Sequence, residues 1–303
     1  MNSIPIIQNQ TEALRRLAAQ RHLYSFAKKL FIVQLVLAGP VAIAWAFAVI
    51  LRPEFKIWAA LFGLIVALAD IVLLTPWQKR LRDCAARIQE AFDCDVLELP
   101  WNSIKVGQRP EPELVKEHAD AYSRVASRFS PLTDWYPPIV GDLPLSVARA
   151  ICQRTNCWWD SKQRRRYAVS ILVGTGMITA AISAIAVAGG FTVNDLLLAI
   201  VAPLAPTLVL AFRQASEHSE AANRLDKLKA HAERLWTDAS GGDAPPHVTA
   251  ETRSLQDEIF ENRKRSPFVF DWIFMRLRKD YEAQMNYGAG QLVTDAKKRL
   301  GLP

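Results

Sequence analysis

Leu30 to Leu51 is a run of 22 residues without a single charge, and Gln34 is its only strongly polar side chain. As a helix rising 1.5 Å per residue it reaches about 33 Å, enough for a hydrocarbon core of about 30 Å. Arg52 to Lys56 then makes a tight turn, and Ile57 to Trp77 runs back. Tyr167 to Val187 is a third run, closed by Ala188-Gly189-Gly190. Val193 to Phe212 is a fourth, with Asp195 near its start and Pro203 and Pro206 inside. One such run fits a buried helix of a soluble core. Four of them, paired by short turns, call for a bilayer, where only helices and closed barrels satisfy the backbone. The predicted fold class is an all-α membrane protein. It has four transmembrane helices in two hairpins and a helical cytoplasmic domain built from the central and C-terminal segments.

Composition agrees only when read in blocks. Hydrophobic residues are 50% and charged residues 22%, with a mean hydropathy of +0.05, as when apolar and charged segments alternate. The net charge of +7 points to an anionic partner, nucleotide or lipid headgroup. Lysine and arginine set the orientation. The 52–56 turn carries two basic residues and the 188–192 turn none, whereas Lys28, Lys29, Lys79, Arg80, Arg82, Arg164 to Arg166 and Arg213 mark the opposite ends. The expected order is a cytoplasmic helix (1–29), a first hairpin (30–77), a cytoplasmic segment (78–166), a second hairpin (167–212) and a cytoplasmic C-terminal segment (213–303). The 29 residues ahead of the first run lack a small-residue cleavage site, so no cleavable signal peptide is expected. Cys84, Cys94, Cys152 and Cys157 then all fall in cytoplasm, where thiols stay reduced.

Helical periodicity persists beyond the apolar runs. Leu81, Cys84, Ile88 and Phe92 recur at three- and four-residue steps, as do Ala221, Leu225, Leu228, Ala232 and Leu235. Both stripes predict helices that continue from spans two and four and pack together. Residues 100–112 and 238–246 read as loops, and 130–144 as a fixed, proline-rich loop. Further helices are expected over 113–129, 248–265 and 268–285, the last with Phe270, Phe274, Leu277 and Tyr281 on one stripe.

No phosphate-binding glycine loop, GxSxG, HExxH or dinucleotide fingerprint is present, so neither an enzyme nor a cofactor is expected. The cysteine spacing, including C-x4-C, matches no common zinc module, and buried reduced thiols are the expectation. Asp70 is the one acidic residue deep in a span, either lining a polar path or bonding a neighbouring helix. Thr175, Thr179 and Ser183 repeat at four-residue steps in span three and admit the same two readings, pore or packing. The stretch NCWWDSKQRRRY, Asn156 to Tyr167, likewise stays double. Its arginines suit a positive collar at a membrane boundary. Yet Trp158, Trp159 and Asp160 beside Arg164, Arg165 and Arg166 also have the makings of a nucleotide pocket, with aromatics for bases and guanidiniums for phosphates. Tyr136 and the Arg263, Lys264, Arg265 cluster extend that candidate set.

Three stretches together resemble one family, the SMODS-associated four-transmembrane effectors of bacterial CBASS antiphage systems. They are Ile4 to Lys29 (IPIIQNQTEALRRLAAQRHLYSFAKK), Asp134 to Asp160 (DWYPPIVGDLPLSVARAICQRTNCWWD) and Leu255 to Met285 (LQDEIFENRKRSPFVFDWIFMRLRKDYEAQM). The matching positions are Gln8, Asn9, Arg21 and Tyr24; then Gln153, Asn156, Trp159 and Asp160; then Arg263, Pro267 and Asp271. The resemblance implies a multi-pass protein of the bacterial inner membrane with both termini cytoplasmic. Its implied partners are the lipid bilayer, further copies of itself and a cyclic oligonucleotide made by a cognate cGAS/DncV-like nucleotidyltransferase, with no DNA or RNA duplex. Sensing that messenger would permeabilise the membrane and abort infection. A constitutive channel or transporter subunit, and a membrane-anchored scaffold without pore activity, are the alternatives.

Overall fold

The structure, a computed structural model, describes residues 1–126, 132–190, 192, 202–242 and 247–303. Every regular element among them is helical. In chain order they are α1 (Ile4–Ile7), α2 (Thr11–Val36), a π turn (Leu37–Val41), α3 (Ala42–Leu51), a 3-10 turn (Pro53–Phe55), α4 (Lys56–Ala69), a second π turn (Asp70–Leu74) and α5 (Thr75–Val96). There follow α6 (Ser103–Val106), α7 (Pro112–Ser123), a 3-10 turn (Pro138–Asp142), α8 (Leu145–Ala188), α9 (Ala202–Ala239), α10 (His247–Arg265) and α11 (Asp271–Leu300).

Three of these runs are long and apolar enough to cross a membrane: Thr11–Trp45, Pro53–Val96 and Leu145–Ile185. Of the fourth expected span, 193–212, residues 193–201 lie outside the described residues, and the remainder is the start of α9 at Ala202. The chain divides into two compact units. The first comprises Met1–Ser25, Leu81–Arg164 and Glu220–Pro303, and the second Phe26–Arg80 and Arg165–Ser219. No helix boundary marks the passage from one to the other. α2, α5, α8 and α9 each begin in one unit and end in the other or abut it as one unbroken element.

The second unit carries its apolar side chains outward. Leu51, Ile57, Trp58, Leu64, Ile65, Ile71, Val173, Ile178 and Ile185 are all exposed, a surface suited to lipid rather than water. Pro40 sits inside the first π turn. Proline has no N–H to give the i→i−4 ladder, so the widened turn absorbs the break and the helix continues.

The first unit has the ordinary core of a soluble domain. Ile4, Leu17, Leu23, Ile88, Phe92, Leu97, Leu132, Tyr136, Leu143, Ile151 and Leu235 are fully buried. Both predicted stripes enter it: Ile88 and Phe92 from α5, and Leu225, Ala232 and Leu235 from α9, with Leu81, Cys84 and Leu228 packed at its edge. α11 departs from the expected 268–285. It starts at Asp271, runs through Gly288 and Gly290 to Leu300, and ends on Gly301, whose φ of 63° is the left-handed cap that glycine adopts freely. The glycines do not stop it because Ala289, Val293 and Ala296 are buried in the core and hold the helix by packing. α7 ends at Ser123 rather than 129, and residues 127–131 are outside the described set.

Candidate functional site

Glu90 and Asp93 stand three residues apart on one face of α5, and both are fully buried. Two carboxylates taken out of water side by side are tolerated only with close cationic partners and satisfied lone pairs. α10 supplies them. Arg253 Nη2 donates to Glu90 Oε1 at 2.6 Å and to Asp257 Oδ1 at 2.9 Å. Arg263 Nη1 donates to Asp93 Oδ2 at 2.5 Å and lies 3.8 Å from Glu90 Oε2. Between them Gln256 Nε2 bridges both acids, at 2.8 Å to Glu90 and 3.0 Å to Asp93. Its own carbonyl accepts from Gln153 Nε2 of α8 at 3.0 Å. The Tyr136 hydroxyl closes the cluster on Asp93 Oδ1 at 2.7 Å.

The N-terminus is tied to the same cluster. Gln8 grips the Tyr136 backbone twice, donating to its carbonyl at 3.1 Å and accepting from its N–H at 2.8 Å. Asn9 donates to Asp134 at 2.8 Å and accepts from its N–H at 3.0 Å. The network therefore joins the N-terminal segment, α5, the 134–136 segment, α8 and α10 in one polar core.

Electrostatics follow from burial. Burial raises the Glu90 pKa, Asp93 raises it further, and the two guanidiniums pull it back. For Arg263 burial works against the charge, but Asp93 and Glu90 outweigh it and hold the pKa above the usual guanidinium range. Burial, then Glu90, pushes the Cys94 thiol up to about 12. Cys152 rises by burial and by Asp93. All four cysteines are free thiols, three of them buried, and no group of three or more metal-ligating side chains occurs among the described residues.

The sequence-predicted ligand residues separate into three environments. Tyr136 and Arg263, 1% and 9% exposed, belong to the buried network. Trp158 and Trp159 are half-buried on α8, each edge-on to Tyr281 of α11, with ring centroids at 6.1 and 5.8 Å. Asp160 pairs with Arg164 at 2.9 Å, and Arg164 Nη1 donates to the Pro267 carbonyl at 2.9 Å. Lys264 lies 3.4 Å from Asp83, and exposed Arg265 lies 3.1 Å from Glu261. Arg165 and Arg166, which begin the second unit's share of α8, are exposed.

The pattern Gln153, Asn156, Trp159, Asp160 thus forms a seam on α8. Gln153 reaches α10, Asp160 acts through Arg164 on the turn after α10, and Trp159 meets α11. Glu90, Asp93, Arg253 and Gln256 were missed from sequence, because charges interleaved in an amphipathic helix look like a solvated face. Among the pore-or-packing candidates, Thr179 Oγ1 donates to the Thr175 carbonyl at 2.9 Å, which spends that hydroxyl within its own helix. Ser183 is half-buried. Asp70 opens the second π turn and accepts from the Thr75 hydroxyl at 3.1 Å.

A family model described as the SMODS-associating 4TM effector domain matches residues 2–292. The chain is also 24% identical over 292 residues to a probable CBASS effector molecule of Bacillus cereus strain VD146, an alignment covering 91% of this chain and 93% of that protein. No solved structure matches the chain.

Proposed function

The chain belongs to the SMODS-associating 4TM effector family, and on that premise we propose that it is a membrane effector of a CBASS-type antiphage system, switched by a cyclic oligonucleotide and acting by permeabilising the inner membrane. The relative's name supports the system. The observation that supports the mechanism is that α2, α5, α8 and α9 each carry residues of both units, the first unit having a soluble-type core and the second a lipid-suited surface. A ligand bound by the first unit then acts directly on helices that enter the membrane.

The ligand surface in this proposal is the half-buried pair Trp158 and Trp159, for stacking on bases, with Lys264 and Arg265 for phosphates and buried Arg164 bracing the turn beside them. Asp160 positions Arg164. Tyr136 and Arg263 support the fold, and Arg165 and Arg166 serve as the headgroup collar. Binding drives oligomerisation or helix rearrangement because the nucleotide has unequal affinity for the two states. Turning a closed resting population of 1:99 into 99:1 takes about 5.5 kcal/mol of differential binding. No chemical step is assigned.

Calorimetry of the full chain in lipid nanodiscs against cyclic di- and trinucleotides tests the sensor. One ligand of the panel binds wild type, and Trp159→Ala with Arg265→Ala weakens it at least tenfold. Binding unaffected by that pair places the ligand elsewhere, and no binding by any cyclic nucleotide removes the sensing step.

A further inference from the structure

The second unit forms a cavity of about 540 Å³, within the 300–1,000 Å³ of small-molecule sites. The described residues of its walls come from α2, α3, α4, the two π turns and α9, and among them Gln34 and Asp70 are the strongly polar ones. Gln34 Oε1 already accepts from Gln78 Nε2 at 3.0 Å. Asp70 accepts from the Thr75 hydroxyl, and among the described residues no cation pairs with it. A carboxylate held at membrane depth is costly and calls for a counter-charge. Trp45 and Phe62, with ring centroids 5.8 Å apart, add aromatic faces to the wall.

We propose that this cavity is a binding site for an amphipathic organic cation, one apolar body bearing a single positive group, drawn from the bilayer. The positive group meets the Asp70 carboxylate and the aromatic faces of Trp45, Phe62 and Phe31, and the apolar body fills the remainder. Two other occupants fit less well. An inorganic cation such as calcium takes six to eight oxygen ligands, and among the described lining residues only Asp70 and Gln34 offer side-chain oxygens. A lipid acyl chain needs no carboxylate. Because Asp70 and Leu37 place both π turns on the cavity wall, the occupant favours the conformation in which those turns are formed. The site is independent of nucleotide sensing.

The test uses the full chain in phosphatidylcholine nanodiscs, with tetraphenylphosphonium as probe and tetraphenylborate as its anionic isostere. Saturable binding of the cation and none of the anion is expected. Asp70→Asn lowers cation affinity by about tenfold or more, the scale of losing one opposite charge close to a partly desolvated cation. Gly63→Leu keeps the carboxylate and projects a side chain where nothing lies within 4 Å; it abolishes binding by filling the space. Equal binding of both ions, binding unchanged in Asp70→Asn, or no saturable binding by folded wild type overturns the proposal. Binding that Asp70→Asn loses but Gly63→Leu retains overturns the cavity as the place.

Discussion

Replacing Arg263 with alanine probes the polar core at its most committed point. Asp93 is fully buried and takes its ionic bond from Arg263 at 2.5 Å. Without that guanidinium it keeps only the Tyr136 hydroxyl and Gln256, and Glu90 keeps Arg253 but loses its second cation. Breaking a buried pair by removing one partner costs about 3–5 kcal/mol, because the remaining charge is uncompensated. For a domain of 150–250 residues each kcal/mol moves the midpoint by about 2–4 °C, so a loss of roughly 6–20 °C is expected. The assay is thermal unfolding of the detergent-solubilised full chain, followed by tryptophan fluorescence. The double variant Asp93→Asn with Arg263→Met removes both charges, and it should be less destabilised than the sum of the two single variants. The double-mutant cycle isolates that coupling, expected at about 0.5–3 kcal/mol. A midpoint for Arg263→Ala within about 2 °C of wild type, less than the shift from 1 kcal/mol, would refute the reasoning.

The same cluster sets a pH dependence. The folded Glu90 pKa lies above its ordinary 4.5, so the folded state binds this proton more tightly. Its contribution is present below 4.5 and is lost as pH rises through the folded value. Comparing urea unfolding of wild type and Glu90→Gln across that window should show the difference falling with rising pH; a difference that grows with pH contradicts the shift. Cys94 and Cys157, each with a pKa pushed up to about 12 chiefly by burial, should resist maleimide at pH 8 in the folded chain and react fully once it is denatured. Fast labelling of either in folded protein would show that the core is open.

The membrane-crossing character was legible because apolar runs of this length have few other uses. The two core-facing stripes were legible for a similar reason: apolar residues at helical spacing have nowhere else to go. What stayed hidden is pairing. Glu90 and Arg253 are 163 positions apart, and nothing in an amphipathic helix distinguishes a carboxylate facing water from one facing a guanidinium on a distant helix. Tyr136 and Arg263 illustrate this: chemistry suited to a nucleotide is equally suited to another side chain, and both bond Asp93. Three of the positions that carried the resemblance, Gln8, Gln153 and Arg263, have a shared place in one network. α11 runs beyond the expected 285 through Gly288 and Gly290, whose weak helix propensity is overridden by burial of Ala289, Val293 and Ala296.

The central claim is that ligand binding in the first unit opens the membrane. Its most direct test is dye release from liposomes reconstituted with the full chain, using whichever cyclic nucleotide binds in the nanodisc panel. The account predicts release with that nucleotide alone, and none without it or when Trp159 and Arg265 are both alanine. Tight binding with no release from folded, inserted protein, or equal release with and without the nucleotide, would contradict it.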